Sequence, residues 1–273
     1  MPELPEVEIV CRNLNELIIG KEIFHTEKNR THLRKIIPQD LEVLTEHAKV
    51  TCVTRRAKYI IIELSNQNAL IIHLGMSGRL TYYDQEYTTL KHDHVVFCFT
   101  DNTRLVFNDA RRFGLVDIVK SDNVNELSYI KSLGIEPLAG GFTVDYLSNI
   151  LLQSKLQIKK FLMDNKFIVG IGNIYASEIL FRARINPTRI ASQISYLEAE
   201  IMFKEIKETL NEAIALGGSS LKDYQNVLGV YGNYQNNFKI YGKNGKNCES
   251  CKNIIIKVVI AGRTSFYCDF CQK

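Results

Sequence analysis

No apolar run in the 273-residue chain approaches the roughly 18 residues that cross a bilayer, which argues against a helical membrane span. The start MPELPEVE lacks the Lys or Arg of a secretory leader and carries acids instead, so the expected location is the cytoplasm. Internal repeats and low-complexity tracts are missing, which excludes solenoid and tail-like architectures. Cysteine is sparse over most of the length. Cys11, Cys52 and Cys98 sit in apolar-periodic segments and read as small core hydrophobes, while the other four of the seven fall within the last 26 residues. In a reducing compartment that clustering points to metal rather than to disulfides.

What is present suits a globular protein of two domains, or of one domain with small modules: 45% of residues are hydrophobic. The net charge of +4 is unevenly spread. Residues 1–150 hold 17 Lys and Arg against 20 Asp and Glu, and residues 151–273 hold 17 against 10. A basic excess confined to one half is the footprint expected for a polyanion, although solvated basic surfaces give the same count.

Val7, Val10, Leu14, Leu17 and Ile18 recur at helical spacing and Gly20 closes the pattern, so the chain is expected to begin with a helix. Between about 50 and 119 the pattern changes to strands, at Tyr59–Leu64, Ala69–Leu74, His94–Thr100, Arg104–Asn108 and Leu115–Val119. Their spacing predicts a mostly antiparallel sandwich or barrel. LGIEPLAGG, Leu133–Gly141, marks a hinge, beyond which helices are expected at 143–152, 155–165, 173–184 and 194–215. The fold class is therefore α+β. An N-terminal antiparallel β-sandwich domain with a flanking helix is placed at 1–135, a hinge at 136–142, a helical domain at 143–237 and a four-cysteine finger at 238–273.

The spacing Cys248-x2-Cys251-x16-Cys268-x2-Cys271 aims four thiolates at one point, as a closed structural zinc site requires. Iron–sulfur ligation uses the same residue type, but the hairpin-forming insert favours zinc. Ile254–Ile260 reads as a strand, Ala261–Thr264 as a tight turn and Ser265–Tyr267 as its return, which puts Arg263 at the tip. There it is either a phosphate contact or a solvated turn arginine.

Pro2 also has two readings. Pro-Glu-Leu-Pro-Glu is a good helix start, with proline and acids in the first turn. Alternatively, loss of Met1 exposes a secondary amine at the positive end of a helix, where the protonated form is disfavoured and a nucleophile results. Glu3 beside it could exchange a proton with a sugar ring oxygen, and Glu6 lies one turn on.

MPELPEVE, RRAKY, HLGMSGRL, KHDHV, NDARRFG, FLMDNKFIVGIGNIYASEILF and the cysteine hairpin occur in one order over nearly the whole chain. Together they resemble the bacterial formamidopyrimidine-DNA glycosylases. The resemblance implies a β-sandwich, a helix-two-turns-helix element and a zinc finger, with double-stranded DNA carrying oxidised bases or abasic sites as partner. It implies one structural Zn2+ and a monomer acting on the nucleoid without membrane contact. It assigns Pro2 as Schiff-base nucleophile, Glu3 as the acid that opens the sugar, Lys58 to proton transfer and phosphate contact, and Arg263 to phosphate binding during δ-elimination. Met76, Arg111 and Phe113 match the residues that fill the gap left by a flipped base; read without the family, they are two core residues and a surface charge. Asn173, after Gly170-Ile171-Gly172, matches a DNA-backbone contact, with Lys155 and Lys159 nearby and His92 favoured over His73 and His94. Two departures bear on substrate range: Ala110 stands where the family has proline, and Gly232-Asn233-Tyr234-Gln235 replaces Gly-Tyr-Phe-Gln.

The activity implied is removal of 8-oxoguanine and formamidopyrimidines, then β,δ-elimination at the abasic site. One rival is an endonuclease VIII-like enzyme for oxidised pyrimidines, against which Leu4 counts. The other is a non-catalytic DNA-binding zinc protein.

Overall fold

The structure is a computed structural model that describes residues 2–220 and 224–273. Met1, whose loss the Pro2 chemistry needs, lies outside the described residues. Two compact units form, Met1–Lys131 with Leu216–Asn233, and Ser132–Ala215 with Tyr234–Lys273.

In the first unit, helix α1 (Leu4–Ile18) buries Val7, Val10, Cys11, Leu14 and Ile18 along one stripe. Strands β1 (Ile23–Lys28), β6 (Asp93–Phe99), β7 (Arg104–Asn108) and β5 (Arg79–Tyr83) pair in that order, and β2 (Val50–Arg56), β3 (Tyr59–Leu64), β4 (Asn68–His73) and β8 (Leu115–Lys120) in a second sheet. Every pairing is antiparallel. Residues of both sheets, among them Val53, Ile60, Ile72, Val95, Phe97, Phe107 and Val116, share one core with the α1 stripe. This is the expected sandwich with its flanking helix. Helix α2 (Leu41–Thr45) and helix α3 (Ser128–Lys131) are short additions that the periodicity did not announce.

The second unit holds α4 (Val144–Leu152), α5 (Ile158–Leu162), α6 (Asn173–Arg182), α7 (Tyr196–Ala215) and the hairpin β9 (Ile256–Ile260) to β10 (Arg263–Tyr267). Thr143 caps α4, its Oγ1 accepting the Tyr146 N–H at 3.1 Å. The helix expected over 155–165 shrinks to α5. Its leading residues instead pair with a neighbouring segment, through the Gln157–Ile190 bridge and the Ala191 N–H to Leu156 carbonyl bond at 2.8 Å. Among the described residues no helix is long and apolar enough to cross a membrane.

The domain boundaries require correction. The units part at Lys131/Ser132, ahead of the expected hinge, and Leu216–Asn233 packs with the sandwich although the sequence reading put it in the helical domain. Val227 is fully buried in the sandwich core, and the Tyr82 N–H donates to its carbonyl at 2.9 Å. Tyr224 Oη donates to the Glu6 carbonyl at 3.0 Å. A Gly- and Asn-rich segment carries no period that could reveal such an anchor.

Candidate active site and metal centre

Pro2 and Glu3 are both buried at the head of α1. A capping box fixes them: the Glu6 carboxylate accepts the Glu3 N–H at 2.8 Å, and the Glu3 side chain accepts the Glu6 N–H. Glu6 does more than cap. Its other oxygen accepts the Ser219 N–H at 2.7 Å and the Ser219 hydroxyl at 3.1 Å, so one carboxylate holds both the amino terminus and the 216–220 segment. Sequence reasoning saw Glu6 as a near neighbour of Pro2 and missed Ser219, more than 200 positions away in sequence and carrying no motif. Glu6→Ala would strand the Glu3 and Ser219 amides in a buried site, at a cost of about 1–3 kcal/mol for each unsatisfied group. A urea midpoint lowered accordingly, with Glu6→Gln intermediate, is the expected measurement; an unchanged midpoint for Glu6→Ala would count against the clamp.

Lys58 lies in the turn joining β2 to β3 and is only 7% exposed, where a turn lysine is ordinarily solvated. Its turn is tied to α1 by Arg55, which donates through Nε to Glu8 at 2.8 Å and through Nη1 to the Ala57 carbonyl at 3.0 Å. Salt bridging holds the Glu8 carboxyl below its ordinary range in spite of burial, the largest single influence, which acts upward. Ala57 takes a positive φ of 54°, which sharpens the turn.

Met76, Arg111 and Phe113 come together on two adjoining loops. Asp109, fully buried, is the fastener. Its Oδ1 accepts the Ser77 hydroxyl at 2.6 Å and the Arg111 N–H at 3.2 Å, and its Oδ2 accepts the Gly114 N–H at 2.8 Å. Gly75 (φ +62°) permits the approach, because a Cβ there would stand 2.5 Å from the Phe113 carbonyl carbon. The Arg111 guanidinium lies 5.0 Å from the Phe113 ring centre, and both side chains are exposed. Two exposed groups held by a buried carboxylate are presented outward rather than packed. Ala110 is an exposed turn residue in the same loop.

The three histidines weighed as phosphate contacts, all in this unit, differ. His94 is buried and its Nε2 bonds the Asp109 carbonyl at 2.8 Å. His73 Nδ1 accepts the Gly75 N–H at 2.9 Å, and burial, then the charges of Lys58 and Arg34, hold its pKa down to about 4. It is neutral at neutral pH and already engaged. His92, partly exposed at φ +78°, keeps its ring beside His94.

In the second unit Lys155 is exposed. Lys159, read as a DNA contact from sequence, is fully buried, with Nζ on the Ser177 hydroxyl at 2.8 Å; its position cannot deliver charge to a ligand at the surface. Asn173 opens α6 after the Gly170 turn, and its Nδ2 donates to the Thr264 carbonyl of β10 at 3.1 Å. Arg263 is exposed but is not at the hairpin tip. Ala261 (φ 49°) and Gly262 (φ 71°) alone make a two-residue turn of the type that matches strand twist, and Arg263 is the first residue of β10, opposite Ile260. Pro2, Glu3, Lys58, Met76, His92, Arg111 and Phe113 thus belong to the first unit, and Lys155, Asn173, Arg263 and the four cysteines to the second.

The Sγ atoms of Cys248, Cys251, Cys268 and Cys271 lie within 4.8 Å of one another. Cys251 to Cys268 is 3.4 Å and Cys248 to Cys271 is 3.9 Å. Zn–S bonds of about 2.3 Å give a tetrahedral edge near 3.8 Å, so four thiolates at these separations fit one structural zinc ion with no open position. The finger is sealed to its unit by Gln272, which accepts the Cys268 N–H and donates to the Ile185 carbonyl, each at 2.9 Å. Glu178 of α6 adds three backbone N–H bonds, from Lys239, Ile240 and Tyr241.

Three family models cover most of the sequence: the formamidopyrimidine-DNA glycosylase N-terminal domain over residues 1–116, the formamidopyrimidine-DNA glycosylase H2TH domain over 133–225, and the zinc finger found in FPG and IleRS over 245–273. The chain is 48% identical over 273 residues to the formamidopyrimidine-DNA glycosylase of Wolbachia pipientis subsp. Culex pipiens, covering 100% of both. It is 43% identical over 272 residues to that of Rickettsia conorii, covering 100% of this chain and 99% of the relative. Among solved structures, a Lactococcus lactis FPG mutant with Fapy-dG containing DNA matches at TM-score 0.92 and 33% identity over 100% of both chains. The Lactococcus lactis Fpg with abasic-site DNA matches at 0.91 and 33% over 99% of each. With its sandwich, helical element and thiolate centre all matched in order, the chain belongs to the formamidopyrimidine-DNA glycosylase family of base-excision repair enzymes.

Proposed function

We propose that this enzyme removes oxidised purines, 8-oxoguanine and formamidopyrimidines, from double-stranded DNA and then cuts the abasic strand by β,δ-elimination. The observation that carries the reading is the amino terminus: Pro2 and Glu3 are locked at the head of α1 by the Glu6 clamp, in the unit that also buries Lys58. Freed of Met1, the Pro2 nitrogen attacks C1′ of the lesion nucleotide and the base departs with a proton. Glu3 protonates the ring oxygen O4′, the C1′–O4′ bond breaks, and an iminium joins Pro2 to the opened sugar. Loss of a C2′ proton then expels the 3′ phosphate, and a second elimination expels the 5′ phosphate, with Lys58 and Arg263 as the cations assigned to proton transfer and phosphate binding. Met76, Arg111 and Phe113 occupy the space of the extruded base, and Asn173, Lys155 and His92 contact the backbone.

Support for DNA as the partner comes from the relatives, several of which were solved holding damaged DNA. One Lactococcus lactis complex contains DNA with an oxidized pyrimidine, and so the pyrimidine reading is the one to test against. In a panel of matched duplexes, excision of 8-oxoguanine and formamidopyrimidine should exceed that of thymine glycol by about tenfold or more, equivalent to about 1.4 kcal/mol of discrimination. The reverse order would move the enzyme to the pyrimidine class.

A further inference from the structure

The outer face of the first sheet carries a cluster that the glycosylase reading leaves unused. His25 and Glu27 of β1 and Cys98 of β6 bring one imidazole nitrogen, one carboxylate oxygen and one sulfur within 4.8 Å of one another. Register explains the meeting. His25 pairs directly with Cys98, and a bulge between Ile23 and His25 lets Ile23 point into the sandwich core while His25 and Glu27 share the face of Cys98. Cys98 itself belongs with Val96 and Val106 to a small apolar cluster separate from that core.

We propose that His25, Glu27 and Cys98 form a second metal site, suited to a borderline divalent transition ion such as Zn2+, with three protein ligands and a fourth position open to water. Two ligands at i and i+2 on one strand and a third from its neighbour converge on a single point above a sheet. Glu27 Oε1 stands 3.4 Å from His25 Nε2 and 3.8 Å from Cys98 Sγ. Zinc bonds of about 2.0–2.3 Å at tetrahedral angles separate ligand atoms by about 3.3–3.8 Å, so these atoms need little movement. His25 Nε2 faces Glu27, while Nδ1 is buried and makes no hydrogen bond. Mixed nitrogen, oxygen and sulfur donors favour zinc or cobalt over magnesium or calcium. Burial, with the Glu27 charge beside it, keeps Cys98 a thiol that donates its S–H to Glu27, and it gives up that proton on binding an ion. Arg104, opposite it on β7, contacts the sulfur, but its guanidinium also lies 5.7 Å from the Tyr87 ring centre and can make way. With three ligands and partial exposure, this site exchanges its ion faster than the closed four-thiolate centre.

The full chain, dialysed against a small excess of zinc and assayed by atomic emission, should hold two zinc ions, and one after a mild chelator wash. His25→Ala, at a partly exposed position, and Cys98→Ser should each hold one before and after washing. Cobalt added to the washed chain should give a sulfur-to-cobalt charge-transfer band that Cys98→Ser lacks. A native chain that binds one ion throughout, or a His25→Ala chain that still binds two, would overturn the assignment.

Discussion

Mixed with abasic duplex DNA and borohydride, the chain freed of Met1 should form a covalent adduct, and the same chain with its Pro2 nitrogen acylated should form none. The reason is electronic: an amide nitrogen has no free lone pair to attack C1′, and an iminium cannot form on it. Retained Met1 acylates Pro2 in the same way, so mass spectrometry of the intact chain should divide reactive from inert molecules within one preparation. Pro2→Gly keeps an amine but loses the ring and the first-turn rigidity it supplies, and trapping should fall. Glu3→Gln separates the steps. It should lower excision of a lesion base by about 10²–10⁴-fold, as loss of a positioned acid does, while trapping on preformed abasic DNA falls less. An adduct of undiminished yield from the acylated chain would transfer the nucleophile to another amine and defeat the Pro2 assignment.

The sequence disclosed the apolar layers well and the edges poorly. Of the sandwich strands, β3 and β7 were expected at their observed limits and β4, β6 and β8 within a residue at their ends. The three that were not named, β1, β2 and β5, are all edge strands. An edge strand has polar company on one side, and its apolar alternation fades: β1 reads IFHTEK with only Ile23 and Thr26 buried. Chemistry followed the same rule. Motif residues whose spacing is local, the four cysteines above all, were legible at once. Glu6 with Ser219, and Asp109 with Ser77 and Gly114, act through carboxylates that join distant loops, and no period or spacing encodes such a junction. Lys159 failed for the opposite reason. It was named with Lys155 as a partner near Asn173, and the fold turns its side chain inward onto Ser177.

Removing one zinc ligand should have the second large effect. Cys268→Ser leaves three thiolates around an ion whose binding can contribute on the order of 10 kcal/mol to a finger too small to hold a core of its own. The tightly held ion should be lost, and with it the order of β9 and β10. The consequence reaches beyond the hairpin, because Asn173 donates to the Thr264 carbonyl and Gln272 joins Cys268 to Ile185. Arg263 and Asn173 should then fail together as the DNA-backbone contacts proposed for them. Each phosphate neutralised by a cation contributes roughly one unit to the slope of log affinity against log salt, so the slope should shrink by about one in Arg263→Ala, where the finger stays folded, and by at least as much in Cys268→Ser. Affinity at one salt concentration should fall further in Cys268→Ser, because the uncharged Asn173 contact is lost as well. The sandwich, whose core takes nothing from the finger, should keep its own unfolding transition. Equal affinities for the two variants at one salt concentration would mean that the ion holds the finger without holding Asn173, and the coupling through Thr264 would have to be abandoned.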